Sequence, residues 1–189
     1  MEERTLVEQA TQGDDAAFQA LIALYRPRLL SIAYHLLGDR EEAEDLVQEA
    51  LLRAFTRLGY YDPAKGSFLN WLTVIMVRLG VNWIGMGRKR DSVLVLESEV
   101  AESFRSGVDL WDGLEQRETG REMERRLVIQ KGLALLPRQQ RAVLLLRYTE
   151  DLTVKEISEA LDVPVGTVKS WLFRGRQTLR AYLKEAGLL

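Results

Sequence analysis

Six residues near the end of the chain, Thr167, Lys169, Ser170, Phe173, Arg174 and Gln177, are spaced so that a helix would present them on its outer side. Their chemistry suits duplex DNA. Hydroxyls and Arg read base edges, Lys and Arg neutralise phosphates, and an exposed Phe touches thymine methyls. At ~100° per residue, Val168, Leu172, Gly175 and Leu179 share an inward face. Gly166, Ser170, Phe173 and Gln177 then point directly away, with Lys169 and Arg174 on the shoulders. An ordinary helical hairpin with a solvated basic face would show the same pattern, so these residues alone do not decide between the two.

A second constellation is acidic. Residues 39–49 carry Asp39, Glu41, Glu42, Glu44, Asp45 and Glu49 against Arg40, a local balance of −5. Residues 163–189 carry five bases against Glu185, a balance of +4, and Arg88, Lys89 and Arg90 make a further basic spot. The formal total is only −2, so the asymmetry points to separate surfaces for separate partners. Catalytic chemistry finds no foothold. Carboxylates are numerous but helical and solvated, no Gly-rich phosphate loop or candidate nucleophile stands out, and the single histidine, His35, lies in an apolar helix without a metal-type partner. No cofactor or metal is expected.

The elements that must position these residues read as helices. Phe18, Leu21, Ile22 and Tyr25 make one apolar face; Pro27 is expected to interrupt or restart that helix, and Gly38 to stop it. Asp39 with Glu42 resembles a capping box. Ala43, Leu46, Val47, Ala50, Leu51, Ala54, Phe55 and Leu58 then keep helical spacing over four turns, opposite Glu44, Asp45, Gln48, Glu49 and Arg53. The loop "GYYDPAKGSF" has turn chemistry, and a helix resumes near Leu69, failing at "GMGRKR". Residues 91–120 are acidic, lose periodicity and read as a linker, with room for a short helix near Trp111. Beyond it come a helix to about Leu136, another after Pro137, and a pair beginning at Thr153, where Glu156 completes a second capping box. "DVP" separates that pair, with Pro164 suited to open its second helix.

Composition sets the outer limits. The 189 residues are 47% hydrophobic and 29% charged, ordinary for a globular protein of one large or two small domains. Without cysteine, disulfides, zinc fingers and thiol catalysis are excluded. No run approaches the ~18 apolar residues of a bilayer span, and the polar start "MEERTLVEQATQGDD" does not read as a signal peptide. A cytoplasmic, all-α protein without membrane insertion is expected, with two small helical domains on a flexible tether.

At this point the sequence resembles a known family. "LPRQQRAVLLLRYTEDLTVKEISEALDVPVGTVKSWLFRGRQTLRAYL" is similar to region 4 of bacterial σ70-family sigma factors, in particular the extracytoplasmic-function (ECF) group. "GDREEAEDLVQEALLRAF" resembles their region 2 core-binding helix, and "GSFLNWLTVIMVRLGVNWIGMGRKR" the promoter-reading helix after it. The resemblance covers most of residues 10–90 and 121–185 in the family's order. It implies region 2 at 1–90, a linker at 91–120 and region 4 at 121–189. It also implies that Asp45, Gln48, Glu49 and Arg53 meet the clamp helices of the largest subunit of core RNA polymerase, where charge complementarity would steer association. The loop and helix residues Tyr60, Tyr61, Asp62, Lys65, Ser67, Phe68 and Arg78 would handle the −10 element, with aromatics stacking an unpaired base. Tyr60, Tyr61 and Phe68 could equally cap the domain core, and Trp71 reads as core. Region 4 would set the helix bearing Thr167, Lys169, Ser170, Phe173, Arg174 and Gln177 into the major groove of the −35 element and also contact the polymerase flap. An anti-sigma factor is the further partner the resemblance implies.

The sequence departs from the family's usual pattern in places. Val74, Arg78 and Asn82 stand where Arg, Asn and Asp are common, and Gly85, Met86 and Gly87 replace an Arg-type run. Trp171 and Gly175 stand where Arg and Ala are usual; Gly175, one turn on, could make room for the indole. Two other functions remain compatible with the sequence. One is a stand-alone helix-turn-helix regulator, and the other is a degenerate sigma-like protein that binds core polymerase or an anti-sigma factor without melting promoters.

Overall fold

The computed structural model describes residues 3–83 and 120–188. Residues 91–119 of the expected linker, the short helix near Trp111 and the "GMGRKR" segment therefore lie outside the described residues, whereas Gly120 already belongs to a helix. Among those described, every regular element is helical. The first bundle contains α1 (Glu3–Thr11), α2 (Asp15–Leu37), α3 (Arg40–Thr56), two single-turn 3₁₀ segments (Leu58–Tyr60 and Pro63–Lys65) and α4 (Phe68–Asn82). The second contains α5 (Gly120–Ala134), α6 (Arg138–Thr149), α7 (Val154–Leu161) and α8 (Val165–Glu185).

Local chemistry sets the helix starts in the first bundle. The Asp14 carboxylate accepts from the Ala16 and Ala17 amides at 2.9 and 3.1 Å, Asp39 from Glu42 N at 2.9 Å, and the Ser67 hydroxyl from Asn70 N at 3.1 Å. Each satisfies a donor that the first turn leaves open. Gly38 ends α2 in the left-handed region at φ 80°. Leu21, Leu29, Leu36, Leu46, Phe68, Leu72 and Met76 fill the core. At Gly80 a Cβ would come within 2.6 Å of Leu36 Cδ2 and 3.0 Å of Leu46 Cδ2, so the absence of a side chain is what lets α4 close on α2 and α3.

The interruption expected at Pro27 does not occur: α2 runs through it unbroken. Proline inside a helix removes a donor and costs ~3 kcal/mol or more. Tyr25 before it and Leu29 after it are both buried in the same core, and that burial offsets the cost of continuing the helix through it.

In the second bundle Leu144, Leu146, Ile157, Val168 and Leu172 form the core. Thr153 and Glu156 form the expected capping box at the start of α7. Asp162 ends that helix in the left-handed region at φ 56°, and Ser158 Oγ donates to Val163 O at 2.6 Å across the turn. Pro164 then sits immediately before α8. Gly175 is buried, but a Cβ there would meet Leu144 Cδ1 at 3.0 Å and Gln140 Cβ at 3.4 Å. It makes room for α6, therefore, and not for the Trp171 indole.

The two bundles pack against one another. Helix α6 lies on α2 and α4, and α7 lies on α4. The buried Arg141 is the centre of this contact. Its Nη1 donates to His35 O at 3.3 Å and Leu36 O at 3.0 Å, while Nη2 donates to Ala134 O at 3.2 Å and Leu136 O at 3.0 Å. The guanidinium thus serves the last carbonyls of α2 and those at the end of α5, groups that no intrahelical donor reaches and where the helix dipoles favour a cation. Burial, with the Arg138 charge second, pulls its pKa down to about 10; it remains a cation at neutral pH.

Candidate nucleic-acid and polymerase interfaces

On α8, Val168, Leu172 and Gly175 are buried and Leu179 is half-buried, so the inward face is the one expected. Lys169, Arg174 and Gln177 are exposed, Thr167 and Ser170 half-buried, and Phe173 is 57% exposed. Bundle packing leaves this side of the helix open. The six residues do not form one uniform face, however. Phe173 and Gln177 help to line an apolar groove of about 670 Å³ between α5, α6 and α8, with Ile129, Leu133, Tyr148 and Leu183. Lys169, Ser170 and Arg174 lie outside that lining. The exposed side therefore combines a polar, cationic strip with an apolar groove beside it.

The acidic surface is carried by α3. Its apolar positions Ala43, Leu46, Val47, Ala50 and Ala54 are buried, which turns Asp45, Gln48 and Arg53 outward and leaves Glu49 half-buried. Arg53 Nε donates to Glu49 Oε1 at 2.8 Å one turn away, so these two side chains present a fixed pair rather than free charges. Leu52 lies exposed among them.

The loop before α4 separates the aromatics that the sequence grouped together. Tyr60 is 84% exposed. Tyr61 is half-buried, its ring centroid 5.1 Å from Phe68 and 5.6 Å from Trp71, and its hydroxyl donates to Gly66 O at 3.0 Å. Burial, followed by the charges of Glu3 and Asp62, raises its pKa. Phe68 is only 1% exposed. Its expected contact with a flipped base is corrected here: as the first residue of α4 it points into the core against Tyr25, Tyr61 and Trp71. Asp62 and Ser67 both cap helical turns, Asp62 through Ala64 N at 3.0 Å and Ser67 through Asn70 N at 3.1 Å. Lys65 is exposed, 3.8 Å from Asp62.

Arg78 on α4 lies near an acidic side chain the sequence did not indicate. Its Nη2 lies 3.7 Å from Asp162 Oδ2, in the turn between α7 and α8. Arg141, Arg28 and Glu150 were likewise missed. The available signal was a charged residue inside an apolar stripe: Arg141 is followed directly by Ala142–Leu146, all buried. His35 is structural, its Nδ1 2.6 Å from Ser31 O. Among the described residues no cluster of His, Cys, Asp or Glu could hold a metal, and no helix is long and apolar enough to cross a membrane.

Comparison with known proteins adds relatives to this geometry. Residues 21–90 match the family description "Sigma-70 region 2", and residues 126–179 match "Sigma-70, region 4". The ECF RNA polymerase sigma factor SigW of Bacillus subtilis is 33% identical over 95% of this chain and 95% of its own. The ECF RNA polymerase sigma-E factor of Escherichia coli K12 is 28% identical over 94% and 92%. Among solved structures, the sigma factor RpoE in complex with the anti-sigma factor NepR from Bartonella quintana aligns with a TM-score of 0.57 at 22% identity, covering 88% of this chain and 96% of that one. CnrH in complex with the cytosolic domain of CnrY aligns with a TM-score of 0.56 at 23% identity, covering 97% of each. At that identity the likeness is one of fold.

Proposed function

The chain belongs to the ECF group of σ70-family RNA polymerase sigma factors, and from that premise we propose how its surfaces divide the work of promoter-specific initiation. Region 2, placed at residues 1–90, grips core polymerase through Asp45, Gln48, Glu49 and Arg53. Region 4, at 121–189, reads the −35 element with α8, and residues 91–120 join the two. The single observation that carries this division is that the acidic face of α3 and the cationic strip of α8 are both solvent-accessible although the bundles are packed together.

At the −35 element Arg174 and Ser170 address base edges, and Lys169 addresses phosphate. The groove beside them, rimmed by Phe173, is suited to an apolar segment of a protein partner such as the polymerase flap or an anti-sigma factor. At the −10 element Tyr60 is the aromatic best placed to stack on an unpaired base, with Lys65 near its phosphate. Arg78 takes part once it leaves Asp162. Asp62 and Ser67 act by holding the loop, and Tyr61 by supporting it from the core side.

The chain itself is proposed to have no catalytic activity, to act in the cytoplasm and to need no cofactor. It lends specificity to the enzyme it joins, so a strongly basic overall charge is not required. Assembly with core polymerase followed by footprinting on promoter DNA tests this division. Protection over both elements is expected. Protection that appears without core, on a palindromic site bound by a dimer, would favour a stand-alone regulator.

A further inference from the structure

The turn that delivers α8 is held by few constraints of its own. Asp162 stands in the left-handed region at φ 56°, a conformation that glycine takes freely and other residues adopt at a cost. Val163 and Pro164 follow. Proline carries no N–H to anchor the chain, its ring holds φ at −58°, and it pushes the residue before it toward extended backbone. Among the described residues no side chain caps the first turn of α8. Val165 and Gly166 are exposed, and a Cβ at Gly166 would meet no neighbouring atom within 4 Å. Full burial begins only at Val168. The first turn, which carries Thr167, is therefore placed by its connection to α7 more than by the core.

One side chain makes that connection. Ser158 Oγ donates to Val163 O at 2.6 Å, at the short end for a hydroxyl bond, while Ser158 O accepts from the Asp162 amide and from Val163 N at 3.1 Å. The hydroxyl thus pins the peptide plane joining Val163 to Pro164, immediately before α8. Its anchor is firm, since Ile157 and Leu161 on α7 are both buried. The same device recurs at the other end of α7. Asp151 is left-handed at φ 52°, and Arg147 Nη1 donates to Leu152 O at 3.0 Å, again five residues on.

We infer that Ser158 is a positioning residue for −35 reading: its hydroxyl holds the entry turn of α8 where Thr167 can meet a base edge. In helix-turn-helix proteins the N-terminal residues of the reading helix contact the bases, and that is the end the core leaves unsupported here. The role rests on the assignment of α8 to the −35 element proposed above.

The test uses the full chain assembled with core polymerase, on promoters in which each −35 base pair is replaced in turn. Thr167→Ala and Arg174→Ala supply reference patterns for the two ends of the reading surface. Ser158→Ala should lower discrimination by up to about tenfold, the most that loss of one intramolecular hydrogen bond allows. The loss should fall on the base pairs that Thr167→Ala affects and spare those that answer to Arg174. Assembly with core and preference at the −10 element should not change. Ser158→Thr keeps the donor and should restore the wild-type preference. Asp162→Gly in the Ser158→Ala chain removes the left-handed cost, so it should raise the thermal midpoint without restoring discrimination; a bond that merely stabilised the fold would recover both. Wild-type preference in Ser158→Ala, a loss spread evenly over the site, or no recovery with Ser158→Thr would overturn the positioning role. If the wild-type holoenzyme and both reference variants are indifferent to −35 sequence, the assignment of α8 falls first and takes the positioning role with it.

Discussion

Thr153 and Glu156 hold one another at the entrance to the helix pair: the Thr153 amide donates to Glu156 Oε2 at 2.7 Å, and the Glu156 amide donates to Thr153 Oγ1 at 3.2 Å. The hydrogen bond from the Thr153 side chain, then that from its backbone, lowers the Glu156 pKa. A depressed carboxylate pKa contributes stability above the unfolded value of ~4.3 and loses it as the pH falls through the folded value. Glu156→Ala should therefore lower the thermal midpoint at neutral pH, with the gap to wild type closing in acid. Thr153→Ala should cost ~1 kcal/mol. Denaturation followed at several pH values checks both.

Tyr60 and Phe68 should part company under mutation. Tyr60→Ala removes an exposed ring and should leave stability within ~0.5 kcal/mol of wild type. Promoter opening should nevertheless suffer, since base–aromatic stacking is worth ~1–3 kcal/mol. Phe68→Ala empties a core site and should cost ~3–5 kcal/mol of folding stability. Urea titration and permanganate reactivity of promoter thymines separate the two effects.

Arg174→Ala should weaken −35 recognition by ~1–3 kcal/mol, the value of a bidentate base contact, with assembly on core unchanged. Competition between promoters differing only in the −35 sequence would measure it. Unaltered promoter preference would remove Arg174 from the reading surface.

Reversing the α3 face should have the opposite profile. Asp45→Lys with Glu49→Lys places two cations on the acidic face proposed to bind core; Asp45 is exposed and Glu49 half-buried, so the fold should survive. Core binding should be lost while region 4 keeps its affinity for −35 duplex. Native gel assembly alongside circular dichroism reads both.

Much of this architecture was legible in the sequence because it follows from local rules. The apolar spacing from Ala43 to Ala54 fixed which side of α3 would be acidic, and the Val168, Leu172, Gly175 period fixed the open side of α8. Capping residues marked Asp39 and Thr153 as helix entrances, while the Ser67 cap came only with the structure. What stayed hidden depends on contacts between distant segments. Pro27 reads as a break until the burial of Tyr25 and Leu29 on either side is known. Phe68 looks available in a loop-rich stretch until α4 turns it inward. Arg28 and Glu150 look like ordinary surface charges, and although the apolar run after Arg141 hints at burial, nothing local tells that each finds a partner about a hundred residues away. The glycine at 175 is legible as a close approach, but the neighbour it admits is Leu144 on another helix.

The central claim is that one chain couples an acidic polymerase-binding face to a separate DNA-reading helix. The most direct test is transcription by core polymerase supplied with the purified chain on a genomic DNA library, with start sites mapped. The expected result is a small set of starts sharing one pair of upstream elements at fixed spacing, lost with Asp45→Lys/Glu49→Lys and redistributed with Arg174→Ala. Core that binds the chain yet yields no new start sites would contradict the claim.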